Sequence, residues 1–268
     1  MSVNNIINTI QFIEENYTRI ISVKEIEQVS FYSYRNFQRI FKSACNETIG
    51  SFQKRLKLEN AYKMLLYNRE PINNIAYEVG FETASALTKS FKQHFGFTPS
   101  EVRKHKEIIF TKSDILFDNE REPLPHEAVN MPEQEIYFSR IITSYNSPDI
   151  EKHWKEFLKY GFPSQSKFYG IIADETIITE DIKCRYDACS NQPSVLKTLA
   201  TKKIFGAKYI KFIHQGSYAT LDDTYRKIYA QWMVNTDLAF SNQAIIECYE
   251  EDNNHAELNK TFIYIPIL

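Results

Sequence analysis

The sequence predicts a multidomain chain: an all-α double helix-turn-helix domain, then an α+β domain built from a duplicated strand-helix-strand-strand unit. Three observations predict it. A short amphipathic helix, a tight turn and a second helix with apolar residues every four positions occur twice in the first hundred residues. A strand, a helix and two further strands recur in the same order after residue 134. Charge divides the chain at the same place: residues 1–106 hold 15 Lys/Arg against 10 Asp/Glu, and residues 107–268 hold 17 against 24. With 268 residues there is enough chain for two cores. The expected boundaries are 1–106 for the first domain, 107–133 for a linker and 134–268 for the second.

In the first domain, Ile6, Ile10, Ile13 and Tyr17 recur at helical spacing and predict an opening helix. Ser22 and Glu25 have the spacing of a capping box for the next. Ser33 is expected to cap the helix that carries Phe37 and Phe41, which turns Arg35, Gln38, Arg39 and Lys42 away from the core. Arg and Gln reach guanine and adenine edges bidentately, so this is the candidate base-reading face, although such faces also occur on ordinary solvated helices. A long helix from Ile49 to Tyr67 follows, with Phe52, Leu56 and Leu65 inward; Lys54, Arg55 and Lys57 on it meet either phosphate or solvent. After Pro71, the run Ile72 to Phe81 forms the second unit's first helix, with Gly80 at the turn. Thr83 caps its second helix, which presents Ser85, Lys89 and Lys92 and ends near Gly96. These side chains are shorter or less discriminating, so the first unit is expected to read bases and the second to hold mainly the backbone.

Residues 107–133 hold Pro123, Pro125 and Pro132 and show no sustained periodicity, which reads as a connector with one short strand at 108–110. In the second domain the strand runs are 136–143, 168–173 and 182–189, then 207–214, 244–249 and 262–267. Helices with Trp154 and Phe157, and with Tyr225, Tyr229 and Trp232, follow the first strand of each set. Two sheets enclosing a groove are expected. Aromatic residues crowd this half, and an aromatic-lined cavity with a few polar groups is the usual form of a small-molecule site. Glu247 stands out because it lies in the apolar run 244–249, where a buried carboxylate is costly unless paired. A cation stacked among aromatic rings satisfies it. So does a solvent-facing position, or pairing with Arg185 or Lys208.

These residues resemble two known families. Ile72, Ile75, Ala76, Val79, Gly80, Phe81, Leu87, Phe91, Phe95, Gly96, Pro99 and Arg103 match the second helix-turn-helix unit of the AraC/XylS-type regulators in type and spacing. The first unit departs from that pattern: Glu27 stands where a small alanine usually packs, and Phe31 where the turn usually has glycine. A large side chain there implies an altered or strained turn. The resemblance implies two recognition helices on one rigid scaffold, addressing successive major-groove faces without a dimer. Residues 134–268 are similar to the GyrI-like effector-binding domain, through the stretches 169–171, 184–188, 214–218, 247–249 and 263–267. That resemblance implies Glu247 at the floor of a ligand groove, with Tyr186, Trp232, Tyr169 and Trp154 as candidate aromatic walls.

The expected function is therefore transcriptional regulation, as an activator by family habit. Its partners are double-stranded promoter DNA and an amphipathic, cationic small molecule, with RNA polymerase a candidate further partner. No cofactor, metal or membrane is expected. The four cysteines form no CxxC pair, Met1 to Asn5 lack a basic leader, and no apolar run reaches membrane-spanning length, which points to the cytoplasm. Two alternatives stay open for the second domain. One is a protein-docking surface, which exposed aromatics would favour. The other is a small-molecule hydrolase, for which the chain offers no nucleophile elbow, triad or metal-ligand spacing, although folding could bring His214 near Glu247.

Overall fold

The computed structural model describes residues 3–105 and 124–268, apart from 176, 205, 234, 235, 237, 242 and 251–259. The chain forms two compact units, Met1–Ile108 and Ile109–Leu268. The short strand expected at 108–110 lies outside the described residues.

The first unit is helical throughout: α1 (Val3–Glu15), α2 (Val23–Ser30), α3 (Tyr34–Cys45), α4 (Ile49–Tyr67), α5 (Ile72–Glu78), α6 (Ala84–Phe95) and α7 (Pro99–Lys104). Ser22 and Glu25 make the expected capping box on α2, and Thr83 accepts the Ala86 N–H to start α6. Ser33 occupies the N-cap of α3 but makes no side-chain cap bond. Glu27 replaces it: its Oε1 accepts the Tyr34 N–H at 2.8 Å. Leu58, Ala61 and Leu65 of α4 are fully buried, so this helix is the axle on which the two helix-turn-helix pairs, α2–α3 and α5–α6, are mounted. The fit is tight at Gly80, where φ is +81° and a Cβ would overlap the backbone carbonyl of Thr18.

The second unit runs β1 (His126–Met131), β2 (Gln134–Ile142), α8 (Asp149–Leu158), β3 (Phe168–Ile172), β4 (Arg185–Ser190), β5 (Ala200–Ile204), β6 (Ala207–Gln215), α9 (Leu221–Lys227), β7 (Ile245–Glu250) and β8 (Lys260–Ile267). α9 continues into a π-helical turn, Ile228–Met233. Both strand-helix-strand-strand sets are present, but each has a leading strand the periodicity missed. β1 falls within the stretch read as linker, and β5 within residues 190–206, where the sequence predicts no element. Both are short edge strands: β1 has mostly exposed side chains, and β5 buries only Ala200 and Ile204 at its two ends, so they carry little apolar signal.

One antiparallel sheet of order β1-β6-β8-β7-β3-β4-β2-β5 takes the place of the two sheets expected. The two repeats join through the pairing of β3 with β7, and each leading strand pairs with the first long strand of the other repeat. This connectivity forces the sheet to curl. β1 and β2 are six strand spacings apart, about 29 Å in a flat sheet, yet residues 132 and 133 alone join them and span at most about 11 Å. The matching connection between β5 and β6 lies against it: a Cβ on Gly206 would come 3.1 Å from the Glu133 backbone nitrogen, and Lys203 pairs with Glu133 at 2.7 Å.

Candidate DNA interface and ligand site

Burial of Phe37, Phe41 and Cys45 along one stripe of α3 leaves Arg35, Gln38, Arg39 and Lys42 exposed, as the spacing predicts. Leu87, Phe91 and Phe95 do the same on α6, leaving Ser85, Lys89 and Lys92 exposed. Arg39 donates to Asn36 one turn back at 3.2 Å and keeps its other donors at the surface. The basic cluster on α4 is not a phosphate contact as a whole. Only Lys54 is exposed. Arg55 is 4 % exposed and bonds Glu47 at 2.6 Å and Glu59 at 3.0 Å, while Lys57 donates to the Gly80 carbonyl at 2.7 Å. Helical spacing places a residue on a face but does not say what the neighbouring helices bring to it.

In the second unit, paired residues on adjacent strands share a face. Glu247 lies beside Gly170, which lies beside Ala188. On the same face, two positions from this row in opposite directions, come Tyr249 on β7 and Tyr186 on β4, which reach toward each other over Gly170. α8 sends Trp154 onto this face, and α9 sends Tyr225. A directed hydrogen-bond chain results. Trp154 Nε1 donates to the Tyr186 hydroxyl at 2.8 Å, and the Tyr186 and Tyr249 hydroxyls are 2.6 Å apart. Tyr249 donates to Glu247 Oε2, and Tyr225 donates to Oε1 at 2.8 Å. Because Tyr249 gives its proton to the carboxylate, it accepts from Tyr186, and Tyr186 accepts from Trp154. Every donor in the chain points toward Glu247.

Gly170 makes this convergence possible. A Cβ there would overlap the Tyr249 and Tyr186 hydroxyls and approach Glu247 Oε2 to 3.0 Å. Glu247 itself is 1 % exposed, and among the described residues no Lys, Arg or His pairs with it. Arg185 is engaged by Asp174 at 2.5 Å, and Lys208 is exposed. Burial raises the Glu247 carboxyl to about 7, with the Tyr249 and Tyr225 hydrogen bonds opposing part of the shift. Burial also raises Tyr186, Tyr225 and Tyr249 well above the ordinary phenol value, and the charge of Glu247 adds to it, so all three stay protonated as donors. A cavity of about 90 Å³ opens beside the carboxylate, lined by Tyr145, Ile172, Asp174, Tyr218, Tyr225, Tyr229 and Glu247, with Asp181 and Asp222 also on its wall. Tyr218, although 39 % exposed, directs its hydroxyl to Tyr186.

Of the expected ligand residues, the fold brings together Glu247, Tyr186 and Trp154. Tyr169 points to the opposite face, since it neighbours Gly170 on one strand, and its hydroxyl meets Gln134. Trp232 stands over β6 and β1, packed on Phe212, His126 and Phe240 with ring centroids 4.9–5.6 Å apart across this cluster. Two omissions were readable in the sequence. Tyr249 is two residues from Glu247 on one strand, and Gly170 interrupts an apolar strand, a sign of close approach. Tyr225, Tyr218 and Tyr145 carry no such sign, because helix rotation and loop path decide where they point. His214 does not join Glu247; its ring nitrogens lie 2.8 Å from Thr224 Oγ1 and 3.1 Å from the Ser217 carbonyl. Apart from Tyr218, the aromatics of the second unit named above are buried or half-buried, not spread on an exposed face.

The double helix-turn-helix and the curled sheet with its buried carboxylate define a class: a DNA-binding protein joined to a small-molecule-binding domain. Comparisons with known proteins agree. The family model for the GyrI-like small molecule binding domain matches residues 125–268, and that for a helix-turn-helix domain matches 28–105. The multiple antibiotic resistance protein MarA of Escherichia coli is 30% identical over 94 residues, covering 35% of this chain and 74% of its own. The transcriptional activator RhaS of Mannheimia succiniciproducens is 31% identical over 94 residues, 35% of each chain. The solved EcmrR C-terminal domain aligns with a TM-score of 0.43 at 18% identity, over 54% of this chain and 97% of that one. The chain belongs to the AraC-type DNA-binding transcriptional regulators that carry a C-terminal GyrI-like small-molecule-binding domain. No described helix is long and apolar enough to cross a membrane.

Proposed function

We propose that this regulator reads bases with Arg35, Gln38, Arg39 and Lys42 of α3, holds the DNA backbone with Ser85, Lys89 and Lys92 of α6, and senses an amphipathic cation over Glu247. It acts in the cytoplasm as an activator, with RNA polymerase the partner through which activation would run. One observation carries the ligand reading. Among the described residues, a carboxylate buried to 1 % exposure receives only tyrosine hydroxyls and no cation, so a positive charge is the partner that would complete its site. The surrounding phenol faces and the wall residue Asp181 favour the same sign of charge, whereas Asp174 and Asp222 on the wall are paired with Arg185 and Arg226. The cavity is smaller than the roughly 300 Å³ that a drug-sized ligand occupies, so a bulky cation must displace Tyr225 or Tyr218 as it enters.

Binding is expected to depend on pH with a definite sign. Only ionised Glu247 attracts the cation, so affinity should be flat above about 7 and fall about tenfold per pH unit below it. The test is a fluorescence titration of the full chain with tetraphenylphosphonium against neutral triphenylphosphine oxide, from pH 5.5 to 8.5. Trp154, bonded to Tyr186, is the reporting tryptophan. Saturable quenching by the cation alone, losing its pH dependence in Glu247→Gln, supports the reading. Equal affinity for the neutral compound would remove the charge pairing from it.

A further inference from the structure

We propose that Glu27 is the positioning residue of α3, the helix assigned above to base reading. The two helix-turn-helix units solve the same geometric problem by different means. In the second, Gly80 takes the left-handed turn position, Phe81 N–H bonds the Ala76 carbonyl at 2.8 Å, and Thr83 caps α6 from within its own helix start. In the first, Glu27 stands at the position of Ala76 and Phe31 at that of Gly80. The turn is also shorter: one residue lies between Phe31 and the N-cap Ser33, against two between Gly80 and Thr83.

Phe31 adopts φ +60° with its side chain 79 % exposed, so no packing offsets the strain of a left-handed L-residue. Side-chain and backbone bonds hold it there. The Glu27 carbonyl accepts the Phe31 N–H at 3.0 Å, the Glu27 carboxylate accepts the Tyr34 N–H at 2.8 Å, and Ser30 Oγ accepts the Tyr32 N–H at 3.1 Å. The cap of α3 therefore comes from α2, and one carboxylate ties the two helices together at the residue before Arg35. This tie sets the angle at which Arg35, Gln38 and Arg39 leave the domain. A negative charge here also complements the α3 dipole and opposes unspecific attraction to phosphate.

The test uses the full chain and two duplexes: one selected by the wild-type protein from a random-sequence pool, and a scrambled duplex of equal length. Glu27→Met keeps the side-chain length but removes the acceptor. It is expected to lower the ratio of selected to scrambled affinity about tenfold, the size of losing one helix cap, without weakening the scrambled complex. Exchange of the Tyr34 amide with solvent should accelerate in parallel. Glu27→Gln, which keeps an acceptor, should retain the ratio within about threefold. Adding Phe31→Gly to Glu27→Met should recover most of the loss, because glycine needs no clasp to hold a positive φ. Glu27→Ala serves as the second truncation if the methionine variant does not fold. A wild-type ratio and wild-type Tyr34 exchange in the truncation would overturn the proposal, as would an equal loss in Glu27→Gln. Since the inference rests on α3 entering the groove, Arg39→Ala is the control. If it leaves the ratio unchanged, the base-reading assignment has failed, and Tyr34 exchange still decides whether Glu27 holds the helix.

Discussion

The Glu247 carboxyl is raised to about 7 from 4.5, so between those values the folded unit holds a proton that the unfolded chain releases. The native state then binds more protons than the unfolded state, and stability falls as pH rises. Stability on this account is fully present below about 4.5 and lost as pH passes through about 7. The shift corresponds to a cost on the order of 3 kcal/mol. Asp187 works in the opposite direction: burial alone would raise it, but Arg140 and Lys202 hold it below its usual value. Its contribution is lost only in acid, outside the window in which Glu247 titrates. The second unit should therefore melt roughly 5–10 °C lower at pH 8 than at pH 5, and Glu247→Gln should flatten the dependence. Circular dichroism melts at several pH values check this, and a wild-type melting point that rises over the range would contradict it.

At the scale of elements, the same turn is built twice with different tolerance. Gly80 combines a left-handed φ of +81° with the Thr18 carbonyl where a Cβ would sit. Alanine there meets both strain and overlap with backbone, which cannot rotate away. Gly80→Ala should destabilise the first unit by about 2 kcal/mol or more, read as a lower denaturation midpoint with unchanged slope. A cost below about 0.5 kcal/mol would mean that the α1–α2 connection moves freely relative to α5–α6. The buried triad of Arg55, Glu47 and Glu59 belongs to this scale too, since it ties the α3–α4 connection to the middle of α4. In sequence Arg55 grouped with Lys54 and Lys57 as a cluster facing phosphate or solvent, because a one-dimensional pattern cannot show which acids will face a base.

For the molecule as a whole, two units with separate cores predict two unfolding events. Calorimetry of the full chain should show two transitions, with the pH dependence of Glu247 confined to one. A cation that occupies that site should raise the same transition and leave the helical unit's melting unchanged when DNA is absent. A single transition that moves as one with pH and ligand would show that the units unfold cooperatively. How occupancy alters regulation then becomes a question of differential affinity between two states of the protein.

Local rules were enough for much of this protein. Helix spans such as Ile49–Tyr67, the Ser22–Glu25 and Thr83 caps, and the outward faces of α3 and α6 all follow from interactions within four residues. The duplication of the second unit was also legible, since a repeated order of elements survives in one dimension. Glu247 could be singled out because a charge in an apolar strand violates a local pattern. Only the tertiary structure decided that Tyr225 shares that carboxylate while Trp232 does not, that Arg55 is buried, and that β1 and β5 exchange partners to curl one sheet. These depend on residues far apart in sequence meeting at hydrogen-bond distance, and periodicity constrains which face a side chain takes but not what comes to meet it.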